Sequence, residues 1–204
     1  MRIAIDADDT VMSQIDVLLP LLNWHLGTKI EKKDVVWNFF LSTPEMTKAF
    51  WGVYDLYDMK KVYLRRAMPP TDSYAFPVIR ELQKLGHIVE IVTRNKEASV
   101  PHIHDWMWMH GVEIEVRAIQ RAKVSIDANG NEKDNTGKKA DLPYDIFIDD
   151  SPMVVDPIVA DPSKTLILYA QPWNRHIDTQ APNVFRADGW LQVREILGTL
   201  GALK

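Results

Sequence analysis

Five short apolar runs, each of strand length, constrain the fold of this chain more than any other feature. They are RIAI (2–5), HIVEIV (87–92), EIEVRAI (113–119), YDIFI (144–148) and TLILYA (165–170). Runs that are short, apolar and rich in β-branched residues predict strands covered on both faces. Helix-length patterns lie among them. Residues 74–85 space Phe76, Val78, Ile79, Leu82 and Leu85 along one face, and Gly86 supplies a stop. Residues 97–110 form a second pattern, closed by Gly111, in which Pro101 fits only the first turn. GWLQVREILGTL (189–200) is a third. The alternation predicts an α/β fold with a mostly parallel, Rossmann-like sheet and helices on both faces.

Two stretches interrupt that pattern. Residues 13 to 72 hold no convincing strand and carry Trp24, Trp37, Phe39, Phe40, Phe50, Trp51, Tyr54, Tyr57 and Tyr63. About sixty residues is too long for a connection and suits a small, mostly helical inserted module. Most of those aromatics are then expected to form its core. The predicted division is a catalytic core of 1–14 and 73–204 with a helical cap of 15–72. The polar stretch 123–139, with Asn129-Gly130, reads as a mobile hairpin or loop. Its DANGNE segment places glycine too early for an EF-hand. The chain of 204 residues contains no internal repeat that we detect.

Carboxylates gather where parallel strands end. RIAIDADDTVM (2–12) sets Asp6, Asp8 and Asp9 directly after the first run, and Asp149-Asp150 follow YDIFI. Such sheets build sites at the C-terminal ends of their strands. If the two strands are neighbours, three or four carboxylates converge, and an oxygen-rich cluster calls for a hard cation, usually Mg²⁺. Thr93 follows another strand, where its hydroxyl can donate to an anion, and Lys138 and Lys139 precede the second acidic pair. Metal, lysine, hydroxyl and backbone amides make a phosphate site. A carboxylate beside it permits phosphoryl transfer, with Asp6 attacking phosphorus and Asp8 moving protons. Each part alone has a plainer explanation: Asp150-Ser151-Pro152 suits a helix cap, and paired lysines are commonly solvated. Their joint occurrence, in order and at strand ends, favours chemistry.

The four segments resemble the motifs of the haloacid dehalogenase superfamily of phosphohydrolases. IAIDADDTV matches its D-x-D-x-[TV] motif, EIVT its second, a lysine its third and DIFIDD its fourth. Within that superfamily, KADLPYDIFIDDSP and LYAQPWNR (168–175) are similar to segments of the 5'(3')-deoxyribonucleotidases. The resemblance covers roughly 1–14 and 73–170, and places 13–72 where the family carries its C1 cap. It implies that Asp6 is nucleophile and metal ligand, and that Asp8 is acid/base with its carbonyl on the metal. It further implies that Thr93 and Lys139 hold phosphate, that Asp150 binds Mg²⁺ directly, and that Asp149 lies in or just behind the coordination sphere. Lys138 is the alternative lysine. Asp9 stands where the family usually has glycine, so its backbone N–H is expected to face phosphate. Arg94, Trp37, Phe40, Phe50 and Trp51, with Arg65 or Arg66, are candidate substrate contacts.

The implied activity is Mg²⁺-dependent dephosphorylation of nucleoside monophosphates, with a sugar phosphate as the alternative substrate. Receiver domains also combine acids, Thr and Lys, but their lysine comes last and they lack such an insert, so a phosphorylation-dependent binding module is disfavoured. A metal-binding protein without turnover is a third reading. A net charge of −4 argues against nucleic-acid polymers as partners. VLLPLLNW (17–24) is too short to span a bilayer. No secretory signal is evident and cysteine is absent, which excludes disulfides and a Cys nucleophile. A cytoplasmic location without membrane association is expected, and a homodimer is allowed.

Overall fold

A computed structural model describes residues 1–37, 39, 42–59, 68–119, 125–126, 132–133 and 139–204. Each of the five apolar runs forms a strand: β1 (Arg2–Ile5), β2 (Ile88–Thr93), β3 (Glu115–Ala118), β6 (Ile146–Asp149) and β7 (Thr165–Tyr169). A sixth, β8 (Val184–Ala187), was not legible: it lies at the sheet edge with only Val184 and Ala187 buried. These strands pair in parallel in the order β3-β2-β1-β6-β7-β8. Between β3 and β6, β4 (Ser125–Ile126) pairs antiparallel with β5 (Glu132–Lys133), as a hairpin requires. The expected Asn129-Gly130 turn lies outside the described residues.

The helices are α1 (Ile15–Leu26), α2 (Pro44–Met59), α3 (Ala75–Lys84), α4 (Val100–Met109), α5 (Val155–Val159) and α6 (Trp190–Thr199). Pro101 falls in the first turn of α4, where its missing N–H costs nothing. Gly86 and Gly111 adopt φ of 80° and 72° just beyond α3 and α4, the left-handed conformation that ends a helix most readily at glycine. Leu85 lies past the end of α3 and is exposed.

Apolar residues on alternate strand positions fill the space on both sides of the sheet. Ile3, Ile5, Ile91, Ile148 and Ile167 pack with α3, α4 and α6. Ala4, Val92, Phe147, Leu166 and Leu168 pack with α5 and with Ala140 and Tyr144. Burial on both faces explains why β1, β6 and β7 read as apolar runs, whereas β3, at the sheet edge, departs from that expectation and leaves Glu115 and Arg117 exposed.

No strand of the main sheet occurs among the described residues of 13–72. The segment leaves and re-enters the sheet region at one place, since Ser13 N–H donates to Pro69 O (2.8 Å) and Thr71 N–H to Val11 O (2.8 Å). Inside it, Leu18 and Leu22 of α1 pack against Ala49 and Val53 of α2, with Phe50 alongside. Trp24 departs from the expected core role and is 83% exposed.

Chain order runs β1, β2, β3 to one side and then returns to β6, β7, β8 on the other. The direction therefore reverses between β1 and β6, where parallel sheets open a crevice beyond the carboxyl ends of their strands. Buried Trp190 of α6 helps to shape that end by donating its indole N–H to Thr10 O (2.9 Å), directly after the Asp6–Asp9 turn. Trp190→Ala should lose about 3–5 kcal/mol of unfolding free energy in urea denaturation. A loss below about 1 kcal/mol would show that the indole does not anchor this turn.

Candidate active site

The register delivers the motif residues to one crevice. Ile5 pairs with Ile91 and Ile148, so Asp6 leaves β1 beside the ends of β2 and β6. Asp6 extends the ladder by one bond, its N–H donating to Ile148 O at 2.9 Å. Thr93 ends β2, and Asp149 ends β6 with Asp150 directly after.

Carboxylate oxygens of Asp6, Asp149 and Asp150 lie within 4.8 Å of one another. The Lys139 ammonium, 3% exposed, sits 2.5 Å from Asp6 Oδ1 and 2.5 Å from Asp149 Oδ2. Lys139 occupies the position beside Asp6; Lys138 lies outside the described residues. Burial opposes the charge on Lys139, but the carboxylates of Asp149 and Asp6 outweigh it and raise its pKa. Burial pushes the Asp6 carboxyl up to about 7, with Lys139 pulling down and Asp149 pushing up. Asp150 is raised well above the ordinary carboxylate range, by burial first and then by Asp6 and Asp149.

Asp8 is held apart from that trio. Its Oδ2 accepts a hydrogen bond from the Asn95 side chain, while Oδ1 is buried with no hydrogen-bond partner among the described residues. Asn95 in turn donates its backbone N–H to Thr93 Oγ1 (3.1 Å), leaving the Thr93 hydroxyl proton to point elsewhere. Asp9 has φ 57°, a left-handed conformation that Asp tolerates better than most side chains. Its carboxylate turns away and caps α1 by accepting Ile15 N–H (2.8 Å). Its own N–H, expected to face a phosphate, donates instead to Met12 O (2.6 Å). Burial raises the Asp9 carboxyl to about 8, the Ile15 N–H opposing and Asp8 adding to the rise.

A layer of polar residues that had no sequence-based role holds this arrangement. Thr10 Oγ1 donates to Asp150 Oδ1 (3.2 Å) and the Trp173 indole N–H donates to Asp150 Oδ2 (2.9 Å). Asn174 Nδ2 donates to the carbonyls of Asp150 and Tyr169, each at 2.8 Å. Gln171 Nε2 donates to Asp9 O (2.6 Å), and Arg186 donates to Asn174. The QPWN run was the available signal, its Gln171 and Asn174 spaced to cap the short turn that Pro172 opens.

The expected substrate contacts are scattered. Arg94 donates to Met153 Sδ (3.2 Å), near the turn after Asp150. Trp37 is partly buried against the cluster that contains Trp173. Phe50 packs on α1, and Trp51 stands edge-on to it at 5.1 Å and is 39% exposed. Phe40, Arg65 and Arg66 lie outside the described residues.

Three carboxyl groups share one ammonium, so a single cation cannot balance them all once they ionise. All of its acceptors are hard oxygens. That donor set suits Mg²⁺, a divalent cation that prefers carboxylates and water.

No protein-family model and no curated protein matches the chain. Solved structures do. A hydrolase of the haloacid dehalogenase family from Deinococcus radiodurans, with phosphate and sodium bound, superposes with a TM-score of 0.61 at 11% identity, covering 100% of this chain and 97% of that one. Protein tyrosine kinase A of Mycobacterium tuberculosis gives 0.59 at 18% identity, covering 96% and 97%. A haloacid dehalogenase-like hydrolase of Burkholderia xenovorans gives 0.54 at 11% identity, covering 97% and 96%. The chain therefore has the Rossmann-like fold of haloacid dehalogenase-type proteins. Nothing in these likenesses singles out deoxyribonucleotidases. Among the described residues, no helix is long and apolar enough to cross a membrane.

Folded, metal-free protein keeps a proton on Asp6 up to about pH 7, whereas an unfolded Asp loses it near 3.8. The fold binds more protons in that window, so its stability should fall as pH rises from about 4 through about 7. A cation that requires ionised carboxylates relieves this cost. Millimolar Mg²⁺ should thus raise the melting temperature more at pH 8 than at pH 5, as thermal denaturation can test. Lys139→Met should destabilise the metal-free fold by about 3–5 kcal/mol at pH 8, because it leaves buried carboxylates unpaired. The loss should be smaller at pH 5, where those groups can protonate; an equal loss at both would point to packing alone.

Proposed function

We propose that the protein is a Mg²⁺-dependent phosphomonoesterase acting through an aspartyl-phosphate on Asp6. The observation that carries this reading is the unlike placement of two neighbouring carboxylates. Asp6 is clasped by Lys139 within the acidic trio, and Asp8 is held separately by Asn95. Two carboxyl groups in different environments suit two different tasks.

Asp6 and Asp150 would hold the ion, with Asp149 beside them and the Asp8 carbonyl completing the protein's share. When bound, Mg²⁺ supplies charge neutralisation at the phosphoryl oxygens. Thr93 and Lys139 donate to the substrate phosphate. An Asp6 oxygen attacks phosphorus, the P–O ester bond breaks, and Asp8 gives its proton to the departing alkoxide. Water then attacks the phosphorus of the acyl phosphate, Asp8 takes its proton, and the bond to Asp6 breaks. The products are an alcohol and inorganic phosphate, with Asp6 returned to its starting state.

The likeness to a tyrosine kinase shows that the fold alone does not select hydrolysis. Asp8 supports hydrolysis here, because its buried Oδ1, unpaired among the described residues, can serve the leaving oxygen and then water. Residues 15–72 act as the cap over the crevice. A nucleoside monophosphate is the favoured substrate, supported by the resemblance of 139–152 and 168–175 to deoxyribonucleotidase segments and by the aromatic content of the cap.

A phosphate-release screen with Mg²⁺, across deoxynucleoside monophosphates, ribonucleotides and sugar phosphates, tests the whole reading. Release from sugar phosphates alone would overturn the nucleotide assignment. Asp6→Asn should lower turnover by at least about a thousandfold, which corresponds to about 4 kcal/mol in the barrier. Its metal-free melting temperature should equal or exceed that of the wild type, since a buried charge is removed. Full activity in that variant would exclude Asp6 as nucleophile.

A further inference from the structure

We infer that Trp173 is a positioning residue that couples the packing of the 15–39 segment to the orientation of Asp150. The inference rests on the Mg²⁺ site proposed above, and concerns how that site is tuned. Trp173 is 5% exposed and bonded on two sides. Its indole N–H donates to Asp150 Oδ2 (2.9 Å), while its ring belongs to a hydrophobic cluster with Ile15, Leu19 and Val35. Ile30, Trp37 and Phe39 pack against that cluster. The turn Lys32–Asp34 lies against the turn Pro172–Asn174, so two segments far apart in sequence meet at this side chain.

The other bonds around Trp173 make its turn stiff. Gln171 accepts from the Asn174 backbone and Asn174 Oδ1 accepts from the Gln171 N–H, a reciprocal capping pair. Asn174 is anchored to Asp150 O and Tyr169 O, and Arg186 holds Asn174 from behind. Backbone movement of this turn is therefore restricted, and pressure from the 15–39 side falls on the indole. A shift of the ring moves its N–H relative to Asp150 Oδ2, whose only other side-chain restraint is the Thr10 hydroxyl on Oδ1 among the described residues. Partners that orient a metal-binding carboxylate typically change metal affinity tenfold to a hundredfold when removed. The same bond that aims Asp150 thus reports whether the aromatic segment above it is seated.

Mg²⁺ titration of the substrate-free protein, by calorimetry and by amide and indole NMR, tests this. Trp173→Phe keeps an aromatic ring in the cluster and removes the donor, so Mg²⁺ affinity should fall about tenfold or more with little change in melting temperature. The indole resonance missing from that variant should shift when Mg²⁺ is added to wild type. Val35→Ala alters only the apolar cluster around the ring, yet should also weaken Mg²⁺ binding and perturb that resonance. In the Trp173→Phe background it should have no further effect on affinity. Unchanged affinity in Trp173→Phe, or additive losses in the double variant, would overturn the coupling. Absence of Mg²⁺ binding by the wild type would instead overturn the metal site beneath it. If Trp173→Phe fails to fold, an unshifted indole and unchanged affinity in Val35→Ala would still refute the inference. None of these readouts needs a substrate, so they decide the role of Trp173 whether or not the protein releases phosphate from any ester.

Discussion

The Lys139 ammonium, shared at 2.5 Å between Asp6 and Asp149, is the contact on which the rest of the site depends. Buried carboxylates at the ends of adjacent strands would otherwise repel one another or take up protons. One cation between two of them makes the cluster tolerable, and still leaves it short of positive charge. That shortage is what the proposed metal ion and phosphate would each exploit. A fully neutralised cluster would have less reason to bind either.

Around this contact the fold divides labour between backbone and side chains. Parallel pairing sets where Asp6, Thr93 and Asp149 emerge. Hydrogen bonds from Thr10, Trp173 and Asn95 then decide which way the Asp150 and Asp8 carboxylates face, while Asn174 holds the Asp150 backbone carbonyl. Asp9 shows both kinds of control, since its left-handed backbone turns the chain and its carboxylate caps α1. An acidic residue in a cluster of acids need not belong to the chemistry.

What could be read from sequence follows from how local each cause is. Strands β1, β2, β6 and β7 were legible because burial on both faces writes an apolar run into the chain. Strand β8 was not, because as an edge strand it buries only Val184 and Ala187, while Arg186 serves to hold Asn174. Asp6, Asp8, Thr93 and the Asp149-Asp150 pair announce themselves by following strands. Asn95, Thr10 and Trp173 do not, because their importance lies in partners at distant positions. Lys138 and Lys139 are indistinguishable as neighbours in sequence. Only the tertiary placement shows Lys139 inside the cluster. The aromatic-rich segment was partly legible: composition predicted a core, which Phe50, Trp37 and Phe39 help to form, whereas Trp24 points to solvent.

The separation of the site's partners along the chain bears on how the protein comes into being. Lys139 lies 133 positions from Asp6, Thr10 lies 140 from Asp150, and Gln171 lies 162 from Asp9. Contacts this distant are closed only after long stretches of chain have been ordered. The acidic turn after β1 is made at the ribosome long before the lysine that neutralises it. An ion bound as proposed by the finished cluster would therefore favour the complete native sheet over any shorter folded portion, its binding free energy adding to the stability of the whole.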